Sequence, residues 1–233
     1  MKNRPLVSVI IPVKNGERFL ASAINSVIAQ EYKHYEMLVV DGKSTDNTKK
    51  IAQSFQKVRY LLQMDEGFGN ALNAGIDIAQ GELIAFISSD DLWAPNKLSL
   101  QVDNFMQHQE IQYTITRVKY FLEEGYEIPP GFRKELLVGD YAGYMPETLV
   151  VRKSLFDQIG KFNTDLKISA DVEWFARAKD QNIPMTIIPE ILVYKRVHNA
   201  NSTLDASKAR VLKHELLKSL KYSIDRQKSG RSS

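Results

Sequence analysis

A chain of 233 residues with 43% hydrophobic and 25% charged residues has the make-up of an ordinary globular protein, enough for one large domain or two small ones. The absence of cysteine excludes disulfides, thiolate metal sites and a cysteine nucleophile. No run approaches the roughly 18 apolar residues of a membrane span, and Arg4-Pro5 leads straight into a strand-like run, so no secretory signal is read and a cytoplasmic location is expected.

The first hundred residues alternate strand and helix signals. Leu6 to Ile11 reads as a strand ending at Pro12, and Phe19, Leu20, Ala23, Ile24, Val27 and Ile28 have helical spacing. Tyr35 to Val40 is a second strand closed by Asp41-Gly42, and Ser44-Thr45-Asp46 offers N-caps for a helix to about Phe55. A third strand, Val58 to Leu62, a helix, Ala71 to Ala79, and a fourth strand, Leu83 to Ile87, follow. Such alternation predicts βαβ units: an α/β domain with a mostly parallel central sheet flanked by helices.

Beyond Asp91 the pattern changes. Asn96 to about His108 is helical, Tyr113 to Phe121 alternates like a half-exposed strand, and Glu123 to Gly143 reads as a loop. Lys153 to Ile159 and Asp171 to Lys179 look helical; Met185 to Ile188 and Ile191 to Tyr194 look like two short strands. The expected organisation is one domain over 1–203, divided near 100, then a basic amphipathic helix over 204–227 and a disordered tail over 228–233. From Leu204 onward eight basic residues stand against three acidic ones, net +5, leaving −2 for the rest. Leu212, Leu216, Leu220 and Ile224 recur every four residues, the stripe that a docked helix buries beneath a solvated basic face. The other reading of this basic end is contact with an anionic membrane surface or nucleic acid.

The chemistry concentrates at strand ends. Ser88-Ser89-Asp90-Asp91 follows the apolar run Leu83-Ile84-Ala85-Phe86-Ile87, which delivers two carboxylates to the C-terminal edge of the sheet, where ligands of open α/β folds bind. Adjacent anions repel, so a cation is their natural partner, and carboxylate oxygens suit Mg²⁺ or Mn²⁺ holding substrate phosphates. Neighbouring side chains of an extended backbone point to opposite faces, so one is expected on the metal and the other on a ribose or metal-bound water; Asp91 is expected on the metal. The bland alternative is an acidic cluster before the helix at Pro95. Asp41 ends the second strand on the same edge, either as a hydrogen-bond acceptor for a ligand or as an Asp-Gly turn residue. Lys14, Arg117 and Arg152 are possible phosphate or acceptor contacts, Trp93 a possible wall of a sugar pocket, and Trp174 a core residue.

Val7 to Glu17, Val39-Val40-Asp41-Gly42-Lys43-Ser44-Thr45-Asp46 and Ser88-Ser89-Asp90-Asp91, in this order and spacing, resemble the family 2 glycosyltransferases, as does Asp65 to Ile76, which resembles the segment beside the nucleotide. The resemblance covers roughly residues 5 to 200 and implies an inverting enzyme on a GT-A, nucleotide-diphospho-sugar transferase, fold. It places Pro12, Val13, Asp41, Asp65, Gly67, Asn73 and Asp90 around a nucleotide-sugar donor, typically a UDP-sugar, with Asp91 on a Mn²⁺ or Mg²⁺ ion across the diphosphate. Ser169-Ala170-Asp171-Val172-Glu173-Trp174 is similar to the family's acidic motif; Asp171 falls on the catalytic base, and Ala170 stands where the first acid usually does. By their residue type alone, Asp171 and Glu173 also read as first-turn helix acids. Arg196-Val197-His198, followed by Ser202, resembles a late segment that reaches the diphosphate or metal; His198 is also readable as an ordinary loop histidine.

The chemistry agrees. A sugar leaves a nucleoside diphosphate when the developing phosphate charge is stabilised, as a divalent ion does, and inversion by one in-line displacement needs a single base. The partners implied are a nucleotide-sugar donor and a saccharide, lipid-linked or other hydroxyl acceptor, with no nucleic acid; the basic helix adds peripheral membrane contact. Competing readings are a degenerate sugar-nucleotide-binding subunit, motivated by Ala170, and a nucleotidyltransferase, disfavoured because Pro12 to Glu17 holds one glycine. A dinucleotide-dependent dehydrogenase lacks its Gly-x-Gly-x-x-Gly.

Overall fold

The computed structural model describes residues 4–199, 201 and 209–229. The chain builds β1 (Val7–Val13), α1 (Leu20–Ile28), β2 (Tyr35–Asp41), α2 (Thr48–Gln53), β3 (Val58–Leu62), α3 (Phe68–Ile78) and β4 (Leu83–Phe86). Then follow β5 (Leu92–Trp93), α4 (Lys97–Gln107), β6 (Tyr113–Leu122), β7 (Asp140–Ala142), β8 (Val150–Arg152), α5 (Lys153–Ile159), α6 (Ala170–Asp180), β9 (Met185–Val197) and α7 (Ala209–Ser229).

All strands join one sheet in the order β3-β2-β1-β4-β8-β6-β9-β5, with β7 pairing β6. Most of the ladder is parallel: β3, β2, β1 and β4 run together, as do β6 and β9, while β8, β7 and β5 pair antiparallel. Strand β1 is buried throughout, as expected of a parallel strand covered on both faces. Its alternate side chains feed two cores: Val7, Val9 and Ile11 pack with α1, α2 and α4, and Ile10 packs with α3, α5 and α6. Helix α3 lies so close to the sheet that a Cβ on Gly75 would stand 2.5 Å from Ile10 Cγ2, which is why no side chain fits there.

Three expectations change. The strands at 185–188 and 191–194 form one strand, β9, whose register against β6 slips between Thr116 and Val118, so a local irregularity conceals its continuity. The loop over 123–143 contains β7 and a short 3₁₀ turn, Lys134–Leu137. The helix expected over 204–227 is described over Ala209–Ser229, so Lys228 and Ser229 are helical; residues 202–208 and 230–233 lie outside the described residues. Its apolar stripe is not the buried side, because Leu216, Leu220 and Ile224 are 41%, 57% and 44% exposed while Glu215 and Ser219 are buried. Among the described residues no helix is long and apolar enough to cross a membrane.

Candidate functional site

The chain winds from β1 out to β3 and returns to the other side of β1 as β4, which makes the β1–β4 edge a topological switch point, where open sheets leave a crevice. A cavity of about 400 Å³ opens there. Pro12, Val13 and Lys14 at the end of β1 form one wall, with Gly42 and Lys43 after β2. Gln63, Asp65 and Gly67 after β3 form a second wall, and Ser88, Ser89 and Asp90 after β4 close it. The loop before α3 is tightened by Gln63, whose Nε2 donates to the carbonyls of Asp65 and Gly67. Gly67 has φ of 117°, a conformation that side chains resist.

Five expected donor-site residues, Pro12, Val13, Asp65, Gly67 and Asp90, line this one cavity. Two do not. Asp41 is buried, its Oδ1 accepting from Ser44 N and its Oδ2 from the Tyr60 hydroxyl, both at 2.8 Å, so its side chain serves the turn that carries Gly42 and Lys43. Asn73 faces the opposite way: it donates to the Phe162 carbonyl at 2.8 Å and accepts from Phe162 N at 3.1 Å, tying α3 to the segment after α5.

The two adjacent carboxylates stand in different surroundings: Asp90 lines the cavity and Asp91, the one expected on a metal, does not. Asp91 is fully buried, and its oxygens accept from Lys195 Nζ at 2.8 Å and Arg196 N at 3.0 Å. Asp90 carries the cavity-facing carboxylate, 3.0 Å from His198 Nε2 and 3.3 Å from Asn201 Nδ2. The cause is the two-residue strand β5, which pairs Leu92 and Trp93 with Tyr194 and Val193 and turns Asp91 under the sheet edge. The same pairing carries Lys195, Arg196 and His198 to the acids. His198 is buried, its ring 4.8 Å from that of Phe19, and Arg196 lies between the Phe19 and Phe121 rings while donating to the Asp90 carbonyl.

Beneath the cavity lies a buried charge network. Lys195 joins Asp91 to Glu147, which accepts from the Ser88 hydroxyl. Burial pushes Asp91 up to about 7, against the pull of Lys195. For Asp90 the His198 hydrogen bond and the Lys195 charge outweigh burial and hold its carboxyl below the ordinary value. Lys195 is raised well above its usual range, burial being overcome by the carboxylates around it.

Asp171 sits in the first turn of α6, where burial, with the Glu147 charge adding, pushes its carboxyl up to about 6. Its neighbour Ala170 is a core residue, 3.5 Å from where a Cβ on Gly69 of α3 would lie, so α6 begins against the N-terminus of α3. Glu173 is not an open helix-end acid: it is buried and paired with Arg177 at 2.8 Å and Arg226 at 3.0 Å. Trp93 does not wall the cavity; it is buried and donates to the Glu147 carbonyl at 3.2 Å, while Trp174 lies in the core. Arg117 pairs with Asp140, and Arg152 donates to the Ile111 and Gln109 carbonyls, so of the three cations only Lys14 reaches the cavity. Glu147 and Lys195 had no local signal, because their partners are set by strands far apart in sequence, whereas Lys43 lies within the quoted segment Val39 to Asp46 and was not singled out.

Fold and cleft together define an open α/β domain whose switch-point crevice joins cations to a carboxylate–imidazole pair. The chain belongs to glycosyl transferase family 2, whose model matches residues 8–163. A Rickettsia typhi protein described as an uncharacterized glycosyltransferase is 35% identical over 213 residues, spanning 85% of this chain and 66% of that protein. The chain thus spans just under two thirds of that relative's length. The Escherichia coli UDP-Glc:alpha-D-GlcNAc-diphosphoundecaprenol beta-1,3-glucosyltransferase WfgD is 38% identical over 106 residues, 44% of this chain and 42% of that protein. The structure of S. aureus TarS 1–349 in complex with UDP-GlcNAc matches with a TM-score of 0.69 and 21% identity, covering 86% of this chain and 61% of that one, a likeness of fold.

Proposed function

We propose that this chain transfers a sugar from a nucleoside-diphosphate sugar, a UDP-sugar first among them, to a hydroxyl of a saccharide or lipid-linked acceptor with inversion. The observation that carries the reading is the Asp90–His198 pair, 3.0 Å apart at the edge of a crevice that also holds Lys14 and Lys43. The names of WfgD and of the UDP-GlcNAc-bound TarS support the donor class.

The Asp90 carboxylate suits Mn²⁺ or Mg²⁺, the His198 imidazole beside it fits Mn²⁺ better than Mg²⁺, and among the described residues no cluster of three or more acids and histidines could complete a cage. Asp90 and His198 would therefore hold the ion with donor phosphates and water supplying the remaining positions. When bound, the ion stabilises the charge that develops on the departing diphosphate. Lys14 and Lys43, which line the same cavity after β1 and β2, attract the same charge. Asp171 takes the proton of the acceptor hydroxyl as its oxygen bonds to the anomeric carbon, and the bond from that carbon to the diphosphate oxygen breaks, releasing the nucleoside diphosphate.

Calorimetric titration with UDP, GDP and dTDP, each with and without Mn²⁺, tests the reading. One nucleotide is expected to bind in a Mn²⁺-dependent manner that Asp90→Ala removes. Failure of all to bind would refute it. The buried Ala170 favours one second reading, a binding subunit without turnover; nucleotide-sugar binding with neither transfer nor hydrolysis would establish that instead.

A further inference from the structure

Helix α7 attaches by its polar side. Glu215 accepts from the backbone N–H groups of Lys167, Ile168 and Ser169 at 2.7 to 3.0 Å. Ser223 and Arg226 bind Asp180 at 2.8 and 3.0 Å, and Arg226 also binds Glu173. A surface helix ordinarily turns its apolar stripe to the core and its charges to water. Here the arrangement is reversed, and Leu217, Leu220 and Ile224 stand 60%, 57% and 44% exposed on the outer side.

At about 100° per residue, Leu216, Leu220, Ile224 and Leu217 form one continuous outward stripe. Lys213 lies within its first turn, and Lys221 and then Lys218 border one edge. Apart from the inward Glu215, Asp225 is the one acid among the helix's residues 209–229. Leu212, Lys213, Leu216, Leu217 and Leu220 line a shallow depression on this face. We propose that the outer face of α7 docks on an anionic phospholipid bilayer, with its leucines in the headgroup boundary and its lysines among the phosphates. The charge pattern selects this occupant: a second copy would set lysine rows of one sign against each other, whereas an acidic lipid surface complements both the stripe and its border. The outer face of α7 shares no residue with the cavity at the β1–β4 edge.

The test is flotation of the full chain with vesicles of phosphatidylcholine, alone or mixed equally with phosphatidylglycerol, at low and raised salt. Binding to the anionic vesicles alone, weakened by salt, is expected. Lys213→Glu/Lys218→Glu/Lys221→Glu should weaken it by on the order of 100-fold. Leu217→Glu/Leu220→Glu should weaken it by roughly 10-fold or more. Lys213, Lys221, Leu217 and Leu220 are exposed and Lys218 is half-buried over the Tyr222 ring, so far-UV circular dichroism should match the parent for both variants and the melting temperature should match it for the leucine variant. Absence of vesicle binding, or binding that neither variant weakens, overturns the proposal. So does a dimer in light scattering that the leucine variant dissociates without any vesicle binding, or salt-sensitive binding to an oligonucleotide in place of vesicles.

Discussion

Lys195 and Asp91 form a buried ion pair, Nζ to Oδ2 at 2.8 Å, between residues 104 positions apart in the chain. The same ammonium reaches Glu147 at 3.1 Å, so one cation holds two buried carboxylates beneath the cavity. Lys195→Met leaves both acids unpaired, and removal of one partner from a buried pair typically costs about 3–5 kcal/mol. A fall in melting temperature of roughly 6–20 °C is expected for a chain of this size. A melting temperature within a degree or two of the parent's, read by calorimetry, would contradict this account.

Asp90 and Asp91 should separate experimentally. Asp90→Asn is expected to lower the melting temperature only modestly, through the weakened His198 bond, and to weaken metal-dependent nucleotide binding by on the order of 100-fold or more. Asp91→Asn should do the reverse, lowering the melting temperature through Lys195 and altering nucleotide affinity far less. Parallel calorimetry and thermal melts of the two variants would reveal whether their roles are instead exchanged.

Asp171 ties activity and stability to pH in opposite senses. As the base proposed above, it must be deprotonated, so turnover should rise as pH passes upward through about 6 and then level off. Its folded pKa lies above its unfolded value, so the folded state binds the extra proton, and stability falls as pH rises from the unfolded value through about 6. Asp171→Asn should therefore reduce kcat by roughly 10²–10⁴-fold while stabilising the protein at neutral pH by about 1–2 kcal/mol after allowance for screening. A variant both less active and less stable would indicate a structural acid.

Glu215 joins the last helix to the turn that precedes Asp171. Burial raises its carboxyl, but its hydrogen bonds to the backbone of Ile168, Lys167 and Ser169 and to the Ser169 hydroxyl hold it below the ordinary value. Its stabilisation is thus present above the unfolded pKa and disappears as pH falls through the folded one. Glu215→Ala should cost about 1–3 kcal/mol and speed amide exchange at Lys167, Ile168 and Ser169. Unchanged exchange there would show that the carboxylate does not hold the turn.

The first hundred residues were legible because their signals are local. Buried parallel strands such as Val7–Val13 are unbroken apolar runs, and their polar ends mark the crevice. The two-residue β5 and three-residue β8 are too short for any periodicity, yet β5 leads to the strand that holds Asp91, leaving Asp90 as the carboxylate that lines the cavity. Lys195 and Glu147 carried no mark because their partners are set by pairing across the sheet. Helix α7 misled for another reason: its leucine spacing is correct for an amphipathic helix, but the backbone N–H groups at 167–169 and the acids of α6 select the polar side.

The clasp between β5 and β9 has a consequence for the order of assembly. The first four strands can associate through neighbouring βαβ units, but Asp91 waits for Lys195, and Asp90 for His198, each more than a hundred positions later. Closing so long a loop is entropically uphill until the final strand docks. On a ribosome, the crevice is therefore the last part of the domain to mature, and a nascent chain stalled before β9 would have its first four strands paired but β5 unpartnered and neither acid held in place.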